Sequence, residues 1–387
     1  VTVEWLESWL GEHGDELIHV RRHLHAHPEL GEQEVATTEL LATRLAAAGL
    51  QPRLLPAGVG LLCDIGAGDP VVGLRADLDA LPIDDTKDVA YASSVPGVCH
   101  ACGHDVHTTA LLGAGLALAA RRDELPGTVR LIFQPAEELI PGGALDVIAA
   151  GGVDGLRSLV ALHCAPALDV GEIGLRVGPI TSAADWVEVR LDGPGGHTAR
   201  PHLTVNLVDA LARVAVDVPE RIVAKLDGAP FQVVWGNVQA GGAGNVIPSV
   251  GYLRGSVRTS DTQLWDRGEE LLTEAVEAVI ATTGARATID YRRGVPPVVN
   301  DEDVVGLLRA GVENAVGPDA VRTTEVSMGG EDFGWYQEHV PSAMARLGVR
   351  AHGAPTRDLH RGDFDVDEAA IGVAVRTLVG TALQALR

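Results

Sequence analysis

From position 99 the chain reads Cys99-His100-Ala101-Cys102-Gly103-His104-Asp105-Val106-His107, and seven of these nine positions are Cys, His, Asp or Gly. Thiolate and imidazole are the preferred ligands of zinc and similar borderline ions, so this density points to a metal site rather than an incidental surface loop. Gly103 allows a turn that brings Cys102 and His104 to one centre. Two other readings use the same residues. A closed structural site would take Cys99, Cys102, His104 and His107, although no second Cys-x-x-Cys supports it. A redox Cys-x-x-Cys leaves the adjoining histidines without a role. The next group is Phe133-Gln134-Pro135-Ala136-Glu137-Glu138. Adjacent carboxylates at a strand end repel each other unless a cation compensates or one is protonated. A metal site divides them, one as ligand and the other as base with a raised pKa. His163 closes the apolar run Leu159–Leu162, and His360 lies in Leu359-His360-Arg361-Gly362-Asp363-Phe364. Each of these two, taken alone, also suits a satisfied structural histidine.

The elements that must carry these residues follow from the hydrophobic pattern. The chain has 387 residues, and 46% hydrophobic content supports a substantial core. Its length favours two domains. Aromatics make up only 4%, so the core must be aliphatic. Helical spacing marks the first fifty residues and Thr108–Arg122, Gly143–Ala150 and Asp367–Arg387. Short apolar runs, Gly60–Ile65, Val71–Arg75, Val129–Phe133 and Leu159–Leu162, alternate with them. That alternation predicts an α/β domain with a largely parallel sheet, whose ligands gather at the carboxyl ends of the strands. The polar groups do follow strands: Asp77 and Asp79, then Glu137 and Glu138, then His163. Near Gly178 the pattern changes. Strand candidates Trp186–Leu191, Gln232–Val238, Gly251–Arg258 and Ala287–Tyr291 and helix candidates Val205–Val216 and Thr262–Thr283 predict a small α+β sandwich inserted at 182–294. The catalytic domain is then discontinuous, 1–181 and 295–387.

Charge and cysteine content bound the function. Fifty-three acidic residues against 30 Lys and Arg give a net charge of −23. Nucleic acid is therefore not expected as a partner, because displacing counterions from phosphate needs cationic surface. The apolar stretches are too short for a bilayer. Glu4, Glu7, Glu12 and Asp15 stand where a secretion signal would need basic and apolar residues. Four cysteines do not make a disulfide framework, and a cytoplasmic location is expected.

Read together, the motifs resemble the amidohydrolase subfamily of the dinuclear metallopeptidases. That subfamily includes hippurate hydrolases, bacterial L-aminoacylases and plant hydrolases of indoleacetyl–amino acid conjugates. The resemblance runs in order through Arg22-His23-Leu24-His25-Ala26-His27-Pro28-Glu29-Leu30, Arg75-Ala76-Asp77-Leu78-Asp79-Ala80-Leu81-Pro82, His100–Asp105 and Gln134–Glu138. It continues through Gly195-Gly196-His197-Thr198-Ala199-Arg200-Pro201-His202, Gly244-Asn245-Val246-Ile247-Pro248, Gly329-Gly330-Glu331-Asp332-Phe333 and the His360 segment. It implies two divalent ions held by Cys102, His104, Glu138, His163 and His360, with Cys102 bridging and Glu137 as general base. Asp77 and Asp79 would orient a ligand imidazole. In the insertion, now a lid, His197 would donate to the carbonyl oxygen in the transition state, often from a neighbouring subunit. Asn245 and Arg258 would hold the substrate carbonyl or carboxylate. Zinc suits the donors best, with manganese, cobalt or nickel also compatible. Cys99 stands where relatives commonly have Met, and Asn206 where many have Asp.

The expected function is metal-assisted hydrolysis of the amide bond of a small N-acyl amino acid. A homodimer or larger homo-oligomer through the lid is expected as well. A dipeptidase or aminopeptidase on the same architecture is the alternative, and a non-catalytic metal-binding module is a second.

Overall fold

The computed structural model describes residues 3–387. Two units of the chain each close around their own core. The larger comprises the chain up to Ile180 with Val299–Glu325 and Asp332–Arg387; the smaller comprises Thr181–Val298 and Val326–Glu331.

In the larger unit an eight-stranded sheet has the order Arg53–Leu54, Leu61–Ile65, Thr128–Gln134, Pro70–Asp77, Ser158–Asp169, Ser342–Arg350, Ile173–Leu175, Val321–Thr323. The four central strands run parallel, and antiparallel strands flank them. The central strands are buried on both faces, so their burial shows no alternation; Ser342–Arg350 is buried along nearly its whole length. Helix His104–Ala119 is buried at all but one position. It therefore lacks an amphipathic stripe, unlike helix Glu4–Ala26, which buries Leu6, Leu10, Leu17, Val20 and Leu24 on one side. Leu, Val, Ile and Ala dominate the core of this unit, as the scarcity of aromatics requires.

The smaller unit is a four-stranded antiparallel sheet, Phe231–Ala240, Val250–Thr259, Ala184–Asp192, Arg286–Val295. Two helices share its core. The first extends to Leu207–Lys225, through Pro219, where the sequence pattern suggested a stop at Val216. Its buried stripe, Leu207, Ala210, Leu211, Val214, Val218 and Ile222, outweighs the cost of an internal proline. Asn206 caps it by accepting from the Asp209 N–H at 3.4 Å. The second helix is interrupted at Arg267, giving Thr262–Asp266 and Gly268–Ile280. At Gly268 a Cβ would lie 2.4 Å from the Tyr291 hydroxyl, so the break falls where the backbone passes close to a strand. Among the described residues no helix is long and apolar enough to cross a membrane.

Candidate metal centre

Ligand atoms of Cys102, His104 and His163 lie within 4.8 Å of one another, and so do those of Cys102, Glu138 and His360. The two triads share the Cys102 sulfur, and together they contain all five predicted ligands. Local structure explains the convergence. Gly103 adopts φ +87° and begins the helix that starts at His104. A Cβ on Gly103 would sit 2.6 Å from the Cys164 sulfur, so glycine is required for fit as well as conformation. His163 lies two residues beyond the Arg75–Ala161 pair on the strand beside Asp77. His360 has φ +59°, and its N–H donates to the Ala101 carbonyl at 2.7 Å, which ties it to the cysteine loop.

The donor set fits cations. His163 Nδ1–H donates to the Cys164 carbonyl at 2.9 Å, leaving Nε2 as the lone-pair nitrogen, 3.6 Å from the Cys102 sulfur. Burial, with Arg346 and His107 nearby, holds its pKa well below the usual value, so the ring is a neutral ligand. Both ring nitrogens of His104 are buried without a hydrogen bond, as is Glu138 Oε1. Orphaned polar atoms of this kind are rare in interiors, and His104 Nε2 and Glu138 Oε1 lie 3.9 Å apart. Burial pushes the Cys102 thiol up against the pull of His104. A coordinated cation reverses that preference and favours the thiolate.

Asp79 accepts the N–H of Glu137 at 3.0 Å and of Glu138 at 2.9 Å, so one carboxylate fixes the backbone of both glutamates. Its Oδ1 also lies 3.4 Å from His104 Nδ1. Asp77 works one step further out. Its Oδ1 accepts from His107 Nδ1–H at 2.6 Å, and His107 Nε2 accepts from the Cys164 N–H at 2.8 Å. Both nitrogens of His107 are thereby used, which removes it from the ligand set and with it the closed four-residue site. Asp77 Oδ2 accepts from Arg75 at 2.7 Å. Burial alone would raise the Asp77 pKa, but His104, His107 and Arg75 together hold it well below the carboxylate range. All four cysteines are free, and Cys99 is fully buried.

The smaller unit carries the other candidates. His197 is exposed and pairs in register with Val246, next to Asn245. The Ala199 N–H donates to His197 Nδ1 at 3.0 Å, so the ring proton sits on Nε2 and makes it a donor. Asn245 is exposed, and its carbonyl accepts from the Thr198 N–H at 3.3 Å. Arg258 is half-buried, donates to the Met328 carbonyl at 3.4 Å, and has its pKa lowered by burial.

Residue-by-residue reading missed the supporting groups. Arg75 donates to Gln134, Asp77 and Asp332 from a fully buried position. Asp332 also accepts from the Gln134 side chain at 2.7 Å and the Ala144 N–H at 3.0 Å. Arg75 and Asp77 share a strand face at spacing i, i+2, a buried charge pair that the sequence does display. Glu34, whose Oε1 accepts the Ala136 N–H at 2.7 Å, gives no such signal.

The profile of Peptidase family M20/M25/M40 matches residues 73–384. The chain belongs to this family. Among its relatives, the N-acetyl-L-cysteine deacetylase of Bacillus subtilis is 37% identical, over 92% of this chain and 85% of that protein. A protein of Rhodococcus jostii named putative glutamate–cysteine ligase 2-3 is 47% identical over 94% of this chain, which spans only 46% of that longer protein. A solved Bacillus subtilis structure, described as a dinuclear metal-binding peptidase from the M20 family, superposes with a TM-score of 0.82 at 33% identity. It covers 97% of this chain and 99% of that one.

Proposed function

We propose that this M20-family chain is a metal-dependent amidohydrolase that cleaves N-acyl-L-amino acids into a carboxylic acid and a free amino acid. The observation that carries the reading is the pair of ligand triads joined through Cys102. Cys102, His104 and His163 would hold one divalent ion, and Cys102, Glu138 and His360 the other. Bound ions of this kind supply Lewis acidity at a scissile carbonyl and acidify water.

The chain's own groups do the rest. Glu137 follows the left-handed Ala136 and has its N–H fixed by Asp79. In this reading it accepts a proton from the attacking water and returns it to the leaving amine. His197 carries its proton on Nε2, as a donor to the developing oxyanion must. Asn245 and Arg258 are assigned to the substrate's carbonyl and carboxylate. Closure of the smaller unit as a lid would exclude water. Zinc is the preferred ion on donor type. The assembly is taken to be a homodimer or larger homo-oligomer through the lid, and the location cytoplasmic. The likeness to a deacetylase of N-acetyl-L-cysteine supports the substrate class.

A panel of N-acetyl, N-benzoyl and long-chain N-acyl amino acids, run beside dipeptides with Zn, Mn, Co and Ni, tests the reading. Turnover of acyl amino acids well above dipeptides is expected. Preference for dipeptides would make the chain a dipeptidase, and a metal-loaded protein inactive on the whole panel would make it a binding module.

A further inference from the structure

We propose that Glu34 is a positioning residue that sets the aim of Glu137 and Glu138, an inference that rests on their assignment as base and ligand. Three successive backbone N–H groups enter this turn, and buried carboxylates take all three. Asp79 receives those of Glu137 and Glu138. Glu34 Oε1 receives that of Ala136 at 2.7 Å. Ala136 is not glycine, yet it has φ +54°. A non-glycine residue held in that region is strained and persists only where its surroundings over-determine it. The surroundings here do so. The Ala136 carbonyl accepts from the Gly143 N–H at 3.0 Å. A Cβ on Gly31 would lie 2.9 Å from Leu139 Cγ and 3.2 Å from the Ala136 Cα, so the chain before Glu34 passes close beside the left-handed residue.

Glu34 is itself anchored to the same layer. Leu30 bridges Ala80 in a parallel pair, and the Ala80 N–H donates to the Glu29 carbonyl at 2.8 Å. The segment bearing Glu34 is therefore stitched beside Asp79. The Glu34 side chain is fully buried, and its Oε2 has no hydrogen-bond partner. A buried carboxylate with one oxygen unsatisfied is a poor choice for stability alone. Burial pushes its pKa up to about 7, with Asp79 and Glu29 adding to the rise. The arrangement makes sense if the acceptor is needed to hold the Ala136 peptide in orientation. Through it, the next two side chains face the triads.

The test uses the metal-loaded protein with Glu34→Ala, Glu34→Gln and Glu34→Asp, and Glu137→Gln as a control. Glu34→Ala is expected to lower kcat by about 10²-fold while KM moves by less than about threefold, as expected for a misplaced group. Glu34→Gln keeps an acceptor oxygen and is expected to restore kcat to within about threefold of wild type. Glu34→Asp draws the acceptor back by one methylene and is expected to fall between them, and it serves if the alanine variant does not fold. Wild-type kcat per metal-loaded molecule in folded Glu34→Ala or Glu34→Asp would overturn the inference, whatever their Tm. So would a Gln variant as impaired as Ala. An active Glu137→Gln would instead overturn the assignment of the base, which separates the two failures.

Discussion

Replacing Asp77 by Asn changes almost no volume and should nevertheless cost a large part of the fold's stability. Asp77 is fully buried and accepts two charge-assisted bonds, from Arg75 at 2.7 Å and from His107 at 2.6 Å. An asparagine has one oxygen for these two donors. With its oxygen toward His107, its NH2 faces the Arg75 guanidinium. With its oxygen toward Arg75, the His107 proton must move to Nε2, where it meets the Cys164 N–H. Either arrangement sets a buried donor against a donor. A lost charge-assisted bond is worth about 1.5–3 kcal/mol, and the unpaired donor adds about 1–3. Breaking a buried pair by removing one partner typically costs about 3–5 kcal/mol, so that is the expected loss. Urea unfolding with metal present should show a lower midpoint at an unchanged m-value. Asp77→Asn and His107→Gln should be non-additive by about 0.5–3 kcal/mol, because they share one bond. A loss under about 1 kcal/mol at constant m, or simple additivity, would refute the proton assignment on which the argument depends.

Glu137→Gln should leave metal stoichiometry at the wild-type value while kcat falls by about 10²–10⁴-fold; retained turnover would remove Glu137 as base. Cys63 and Cys99 are buried and their thiols pushed up to about 11, so native protein should resist alkylation near neutral pH and expose all four cysteines only on unfolding. Rapid native labelling of either would contradict this. Glu34 has a folded pKa raised to about 7, so its contribution is present below the ordinary carboxylate range and lost as pH rises through that value. Wild-type stability relative to Glu34→Gln should therefore decline between about pH 5 and 8, by at most about 3 kcal/mol, and a flat difference would show that Glu34 does not titrate there.

The ligand loop was legible because its chemistry is compressed into nine residues. His163 and His360 were not legible from their neighbours, since a single histidine after an apolar run has many uses. Their ordered place among the other motifs singled them out. Three of the four central strands read well as short apolar runs, whereas Ser342–Arg350, whose apolar run Arg346 interrupts, did not; nor did the helix through Pro219, because its stop signal was overridden by tertiary burial. Glu34 was the least legible. It looks like one more charged residue at the start of an amphipathic helix, and its burial depends on a contact with a residue 102 positions away. His107 belonged only to the rival closed site; its hydrogen bonds at both nitrogens instead link Asp77 to the strand of His163.

Sharing one sulfur between two triads has a consequence that separates the ligands experimentally. The centre gathers Cys102, Asp79, Glu137 and Glu138 near His104, while the buried Arg75 is already committed to Asp77, Gln134 and Asp332. Buried acidic groups without a cation must protonate or strain the fold. Chelation should therefore lower Tm and metal addition restore it, since an ion at 100 times its Kd stabilises by about 2.7 kcal/mol. His163 belongs to only one of the two shared-sulfur triads, so His163→Ala should release one ion and keep the other. Cys102 belongs to both, so Cys102→Ser should weaken both sites together and flatten the dependence of Tm on metal concentration. Elemental analysis beside calorimetry distinguishes these cases. If Cys102→Ser retained two ions with undiminished affinity, the shared sulfur would not be bridging, and the two sites would have to be assembled from Asp79 and the glutamates without it.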